Sequence, residues 1–250
     1  MNNIVLITGG SAGIGFATAK KFLEKGDKVV ILSTNESKGK QAEEKLAQYG
    51  EVTWMHCCVQ DAQECQQVVD RTVEKYGRVD VLVNNAGVVS RRESFLQVDL
   101  EDVRRTIDIN VMGTLQMIHA VTPYMVKQES GTIVNIGSIC GVMANSESVG
   151  YHASKGAVEM LTKALARELS PYGIRMVCVA PGWVRTEMID DTVASIGASL
   201  HMKGRIVEPA EIAGVVWLMT QPEASAVNGT TVMADDGYSV FKGIDGGKRA

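Results

Sequence analysis

The sequence predicts an α/β fold in which a doubly wound, seven-stranded parallel sheet carries helices on both faces. Three observations point there. Short runs rich in Val and Ile alternate with longer stretches of helical period. The runs are apolar throughout instead of alternating with polar residues, as strands covered on both faces are. The chemistry-bearing motifs all fall at the ends of those runs, where a parallel sheet binds its ligands.

Taken in order, the strand candidates are Ile4–Ile7, Lys28–Leu32, Val52–Met55, Val79–Val83, Thr132–Ile136, Arg175–Val179 and Thr231–Ala234. Helical periodicity fills 13–25, 36–48, 62–76, 100–127, 151–170 and 209–220 between them. Right-handed crossovers then bring the C-terminal strand ends to one edge of the sheet. No repeat, low-complexity linker or domain boundary interrupts the pattern, so residues 1–250 are expected to form one domain. A stretch from Glu187 to about Arg205, rich in Met, Ile, Ser and Gly, is expected to be a substrate lid at that edge. The Gly- and Lys-rich tail Gly243–Ala250 is expected to fray or to cover a neighbouring subunit.

With 25 Lys and Arg against 29 Asp and Glu, and no basic block, the chain does not read as a nucleic-acid binder. The expected partners are a small molecule and copies of the chain itself. Cys57, Cys58, Cys65, Cys140 and Cys178 form an odd set without metal-ligand spacing, so no metal is expected. They read as reduced thiols of a cytoplasmic protein. No apolar stretch reaches membrane-spanning length, and Met1-Asn2-Asn3 leads into a strand without a basic leader, so no membrane is expected as partner.

The first strand runs into Thr8-Gly9-Gly10-Ser11-Ala12-Gly13-Ile14-Gly15 and then a helix. Spaced glycines let a backbone approach a pyrophosphate, and a helix N-terminus offers it free N–H groups, although a turn built only for tightness would also use glycine. Further on, Tyr151 and Lys155 stand four apart and share one helix face. That spacing also arises on solvated helices. As a chemical device it sets a phenol beside a positive charge that lowers its pKa, which suits proton exchange with an alcohol oxygen.

With Gly9-x3-Gly13-Ile14-Gly15, Asn84-Asn85-Ala86-Gly87, Asn110, Ser138, Tyr151-x3-Lys155 and Pro181-Gly182 in this order, the chain resembles the short-chain dehydrogenase/reductase family from about residue 3 to about 240. Within it the chain looks most like ketoacyl reductases of acyl carrier protein and bacterial alcohol and hydroxysteroid dehydrogenases. The resemblance implies a Rossmann fold, and a homotetramer or homodimer joined through the helices near 100–127 and 151–170. It implies Asn110, Ser138, Tyr151 and Lys155 as the catalytic set. Tyr151 would exchange the proton, Ser138 would polarise the carbonyl, Lys155 would hold the nicotinamide ribose and lower the tyrosine pKa, and Asn110 would kink its helix and hold a water that completes a proton relay.

For the dinucleotide, the resemblance implies contacts from Gly9, Ser11, Ala12, Gly13, Ile14, Gly15, Ser33, Thr34, Cys58, Val59, Asn85, Ala86, Gly87, Tyr151, Lys155, Pro181, Gly182, Val184 and Thr186. For the substrate it implies Ser138, Cys140, Asn145, Tyr151, Trp183 and Met188. Two departures bear on the cofactor. Ile31-Leu32-Ser33-Thr34-Asn35 carries no carboxylate to hold an adenosine ribose diol and no arginine for a 2′-phosphate, so hydroxyls on Ser33 and Thr34 with Lys38 nearby favour NADP(H), with NAD(H) as the other possibility. Cys58 stands where relatives often carry Asp or Asn against the adenine, a contact that would fall to the Val59 N–H.

Near the C-terminus Asp236 replaces the first glycine of a typical Asp-Gly-Gly, and Asp reaches glycine's backbone angles only at a cost. The expected activity is interconversion of a secondary alcohol and a ketone on a bulky or apolar carbonyl, a 3-oxoacyl thioester or hydroxysteroid. The mouth offered by Val88, Val89, Ser90, Val142 and Met143 is mostly apolar. Arg91 and Arg92 could meet an acidic carrier or a carboxylate, or simply stand on a solvated loop. The rival readings are a dinucleotide-sensing scaffold without turnover and a dehydratase or epimerase that retains its cofactor.

Overall fold

A computed structural model describes residues 2–187 and 191–240. Seven strands, β1 (Ile4–Thr8), β2 (Lys28–Ser33), β3 (Val52–His56), β4 (Val81–Asn84), β5 (Gly131–Ile136), β6 (Ile174–Pro181) and β7 (Thr230–Ala234), make one sheet. Its order is β3-β2-β1-β4-β5-β6-β7, and every pairing is parallel. The order reverses between β1 and β4, where crossovers leave toward opposite faces and a crevice opens at the strand ends.

Alternation along β1 shows how one strand serves two cores. Val5 and Ile7 pack with Val29, Ile31, Val81 and Val83 against α1 (Gly13–Glu24), α2 (Glu36–Leu46) and α8 (Pro209–Thr220). Leu6 packs with Val30, Leu32, Leu82 and Ile133 on the other face, against α3 (Ala62–Tyr76), α5 (Gly113–Gln128) and α6 (Val149–Leu169). All five β1 residues are buried, which is why an uninterrupted apolar run marks the strand.

Local chemistry sets most helix starts. Asn35 accepts the Lys38 N–H at 2.9 Å at the head of α2, and Asp61 accepts from Gln63 and Glu64 at the head of α3. Asp99 caps α4 (Leu100–Ile107) by accepting the Glu101 N–H at 2.9 Å. α1 differs: Ala12 stands at its N-cap without a side chain to accept a bond, and its first turn holds no acidic residue.

The predicted helix over 100–127 is not continuous. A π-helical turn, Asp108–Met112, separates α4 from α5. Its cause is Asn110, whose amide is drawn to the Val88 backbone while Thr114 Oγ1 donates to the Asn110 carbonyl at 2.8 Å. The lid is not all loop, because it contains α7 (Asp191–Leu200). Gly243–Ala250 lies outside the described residues. Among those described, no helix is long and apolar enough to cross a membrane.

Candidate active site

At the β1/β4 reversal a cavity of about 540 Å³ opens, and its wall brings together residues that are far apart in sequence. Gly9, Ala12, Gly13 and Ile14 come from the β1–α1 turn, Asn85, Ala86, Gly87, Val88 and Val89 from the end of β4. Ser138 and Cys140 follow β5, Tyr151, His152 and Lys155 project from α6, and Pro181, Gly182, Trp183, Val184 and Thr186 follow β6.

Sterics hold the glycine turn tight. Gly9 and Gly13 have φ of 64° and 53°, in the left-handed region. A Cβ on Gly15 would stand 2.3 Å from the Gly9 carbonyl oxygen and 2.6 Å from Asn85 Nδ2, so this glycine is what lets α1 begin beside the strand end. Thr8 ties the turn to β4: its Oγ1 accepts the N–H groups of Asn85 and Ala86, each at 2.9 Å. Asn85 Nδ2 returns bonds to the carbonyls of Thr8 and Gly9.

On the opposite wall, Asn110 is buried and fully engaged. Its Oδ1 accepts from Val88 N at 2.8 Å, and its Nδ2 donates to Val88 O and to Ser154 Oγ at 2.9 and 3.0 Å. Ser154 Oγ donates in turn to the Tyr151 carbonyl, and Ser90 Oγ accepts the Tyr151 N–H. Ser154 and Ser90 thus fix the backbone of Tyr151 as Thr8 fixes that of Asn85 and Ala86; the sequence placed Thr8 in the glycine turn and Ser90 at the substrate mouth, but showed none of these bonds and did not mark Ser154. The one signal available was a short hydroxyl residue beside each recognised motif.

Ser138 is buried in extended backbone at the end of β5, where its Oγ accepts the Cys140 N–H at 3.1 Å. Lys155 is buried, and its Nζ donates to Ile136 O at 2.8 Å while standing 5.7 Å from the centre of the Tyr151 ring. This corrects the expectation that Lys155 lowers the phenol's pKa. Burial pushes Tyr151 up to about 12, with the Ser138 hydroxyl pulling the other way, because desolvation of a phenolate outweighs one hydrogen bond. Burial also lowers the Lys155 ammonium to about 8.

At the mouth, His152 Nδ1 lies 2.7 Å from Ser148 O and its Nε2 accepts the Asn145 N–H at 3.2 Å. A carbonyl can only accept and an N–H can only donate, so the ring is held as the Nδ1–H tautomer. That bond pins Asn145, a predicted substrate residue, to α6. Arg92 and Tyr238 also line the cavity, Tyr238 from the turn after β7. In that turn Asp236 takes φ of 50° and its Oδ2 accepts the Lys203 N–H at 2.7 Å, so the departure from glycine ties the lid's far end to the β7 exit.

Several predicted contacts lie off this wall. Ser33, Thr34, Cys58 and Val59 stand beyond it, at and after the ends of β2 and β3, while Ser11 and Gly15 sit within the glycine turn. Ser33 Oγ accepts from Trp54 Nε1 at 2.9 Å, and Lys38 Nζ lies 3.3 Å from Glu187 Oε2. Cys58 N donates to Glu64 Oε2. Met188 lies outside the described residues.

The residues present fit a dinucleotide. The uncapped start of α1, open to the cavity through Ala12, Gly13 and Ile14, leaves N–H groups for a pyrophosphate where α2, α3 and α4 satisfy theirs internally.

The family model for short chain dehydrogenases matches residues 3–196. The chain is 37% identical over 241 residues to a 3-oxoacyl-[acyl-carrier-protein] reductase of Synechocystis sp., covering 95% of this chain and 97% of that one. It is 33% identical to a 3alpha-hydroxysteroid dehydrogenase of Mediterraneibacter gnavus, over 94% and 96% of the two chains. Among solved structures it superposes on ElxO with NADP bound at a TM-score of 0.90, with 30% identity over 95% of this chain and 99% of that one. Sequence, sheet order and cleft agree, and the chain belongs to the short-chain dehydrogenase/reductase family of NAD(P)-binding oxidoreductases.

Proposed function

We propose that this protein interconverts a secondary alcohol and a ketone on an apolar carbonyl compound, with Asn110, Ser138, Tyr151 and Lys155 as its catalytic set and NADP(H) as its cofactor. The observation that carries the reading is the meeting of Ser138, Tyr151 and Lys155 with Gly9, Ala12 and Gly13 on one cavity wall. The nicotinamide group, when bound, supplies or removes the hydride. In reduction the Ser138 hydroxyl donates to the carbonyl oxygen as charge gathers there. Tyr151 then passes its phenolic proton to that oxygen, and the C=O π pair becomes the O–H bond. Lys155 holds the ribose hydroxyls and replaces the proton that Tyr151 gives up, and Asn110 supports the Tyr151 backbone through Ser154. A phenol pushed up to about 12 is protonated at neutral pH, which favours reduction there; oxidation, which needs the phenolate, gains as pH rises.

Three features support NADP(H). No carboxylate stands at the end of β2. Ser33 accepts from Trp54 and so keeps its own O–H to donate to a phosphate. Lys38 stands in the first turn of α2, the helix that follows β2. The relatives that act on 3-oxoacyl thioesters and hydroxysteroids, with the apolar Val89, Met143 and Trp183 in the wall, support a bulky carbonyl. The chain works as one domain and as a cytoplasmic homotetramer or homodimer, for which the exposed Met112, Val149 and Met160 on the π turn and α6 offer apolar surface.

The test is fluorescence titration with NADPH and NADH, followed by a ketone panel with the preferred cofactor. Tyr151→Phe should lower turnover about a thousand-fold while NADPH still binds, since a positioned acid contributes about 10²–10⁴-fold. Tight binding with no turnover of acyl, steroid or small ketones would leave the sensing scaffold as the better reading.

A further inference from the structure

The substrate end of the cavity contains a charge that the proposed chemistry does not use. Arg92, which follows β4 in the chain, lines the same cavity as Val89, Cys140, Met143 and Asn145, within electrostatic reach of Cys140. Among the described residues it has no acidic partner: Glu93 accepts the Asp99 N–H, and Asp102 is engaged by Arg105 and by the Arg91 N–H. The other cationic candidates are committed elsewhere. Lys155 donates to Ile136 O at the floor, and His152 is held as a neutral ring whose Nε2 accepts from Asn145. Among the described residues Glu187 is the one carboxylate lining the cavity, and its Oε2 lies 3.3 Å from Lys38 Nζ.

Resting on the oxidoreductase reading above, we infer that Arg92 is a specificity-determining residue, and that the substrate is an apolar ketone or alcohol bearing a carboxylate at the end away from the reacting carbon. The guanidinium offers a planar fork of donors that matches a carboxylate. Val89, Met143 and Trp183 in the same lining suit the hydrocarbon body. Its charge also reaches the floor of the site, since Arg92 is among the groups that favour ionisation of the Cys140 thiol beside Ser138, against a burial that raises it. That inward reach favours a carboxylate held within the cleft over an acidic carrier docked on the outer surface.

The test compares straight-chain methyl ketones ending in a carboxylate with their methyl esters, by calorimetric binding to the protein saturated with NADP⁺. Tyr151 meets the carbonyl that acid and ester share, so Tyr151→Phe should lower reduction about a thousand-fold and leave the ratio of the two affinities intact. The acid should bind about ten-fold more tightly than its ester, equivalent to about 1.4 kcal/mol. That preference should fall toward one in Arg92→Gln, return in part in Arg92→Lys, and weaken with added salt. Arg92 is exposed, and a thermal melt of each variant checks that the fold is kept. Equal binding of acid and ester, binding of neither, or a preference that survives in Arg92→Gln overturns the proposal. Equal binding combined with Arg92-dependent turnover of carrier-bound thioesters would instead assign the arginine to an acidic carrier.

Discussion

The two ends of the cavity are built by different means. The dinucleotide end is made of backbone: the β1–α1 turn, the Asn85–Gly87 segment and an uncapped helix start, all cross-tied through Thr8 and Asn85. The substrate end is made largely of side chains on the loop after β5, the lid and the turn after β7, held by a few local bonds such as His152 to Asn145 and Asp236 to Lys203. A backbone site tolerates almost no change at its glycines and says little about which molecule the protein acts on. A side-chain site can be retuned residue by residue. Chemistry common to a family thus sits where the chain cannot vary, and selectivity where it can.

The sharpest way to break the rigid half is Gly15→Ala. The added methyl would overlap the Gly9 carbonyl and Asn85 Nδ2, so either the turn or the cross-tie must shift. Overpacking of this kind costs about 1–3 kcal/mol, which at the top of that range weakens dinucleotide binding by about a hundred-fold. Gly214→Ala is the matched control, because a Cβ there meets nothing within 4 Å and replaces glycine inside α8. NADPH titration should show full affinity for Gly214→Ala, with a small rise in melting temperature. Equal binding by both variants would mean that the turn does not hold the pyrophosphate.

This division also explains what was legible in the sequence. The strands could be located to within one or two residues because burial on both faces leaves an unbroken apolar run, as in Val5–Ile7 and Val29–Leu32. The glycine turn, Asn110, Ser138, Tyr151 and Lys155 stood out through their resemblance to a family pattern, and the fold gathers Gly9, Gly13, Ser138, Tyr151 and Lys155 on the cavity wall, with Asn110 buried behind it against Val88. Periodicity over 100–127 does not mark the π turn, since it carries no sign of an extra residue in a helical turn; the resemblance alone implied a kink at Asn110, which there bonds the Val88 backbone. Nor was the sign of the Tyr151 shift legible, because i, i+4 spacing gives a shared face but not the depth of burial. Ser33 was found by position, but its bond to Trp54 joins residues 21 apart and has no local signature.

Lys155 joins the two halves, and its burial has a cost that can be measured. Its ammonium sits at about 8 in the folded protein against an ordinary 10.5. Below about pH 8 both states are protonated and the folded state bears the whole desolvation cost. Between 8 and 10.5 the unfolded chain binds more protons, so stability should rise with pH across that window. Lys155→Met removes the buried charge and also the bond to Ile136 O, which offsets about 1 kcal/mol of the gain. Lys155→Met should therefore melt about 4 °C above the parent at pH 7, at about 2–4 °C per kcal/mol. The gap should shrink as pH rises through 8 to 10.5. A variant that melts lower at pH 7 would show that the ammonium's bonds outweigh its desolvation.

The smallest expected effect probes the adaptable half alone. His152 links α6 to the loop after β5 through one N–H it accepts and one carbonyl it faces. In His152→Leu both bonds vanish while the apolar volume is largely kept, so Asn145 is freed without opening the core. A neutral hydrogen bond contributes about 0.5–1.5 kcal/mol, and because Asn145 is exposed, water replaces part of what is lost. KM for the ketone should rise about three-fold, near the bottom of that range, with NADPH affinity and kcat little changed. A matching fall in kcat would mean that His152 acts on Tyr151, its neighbour in α6, and that the boundary between the rigid and adaptable halves runs through the catalytic helix itself.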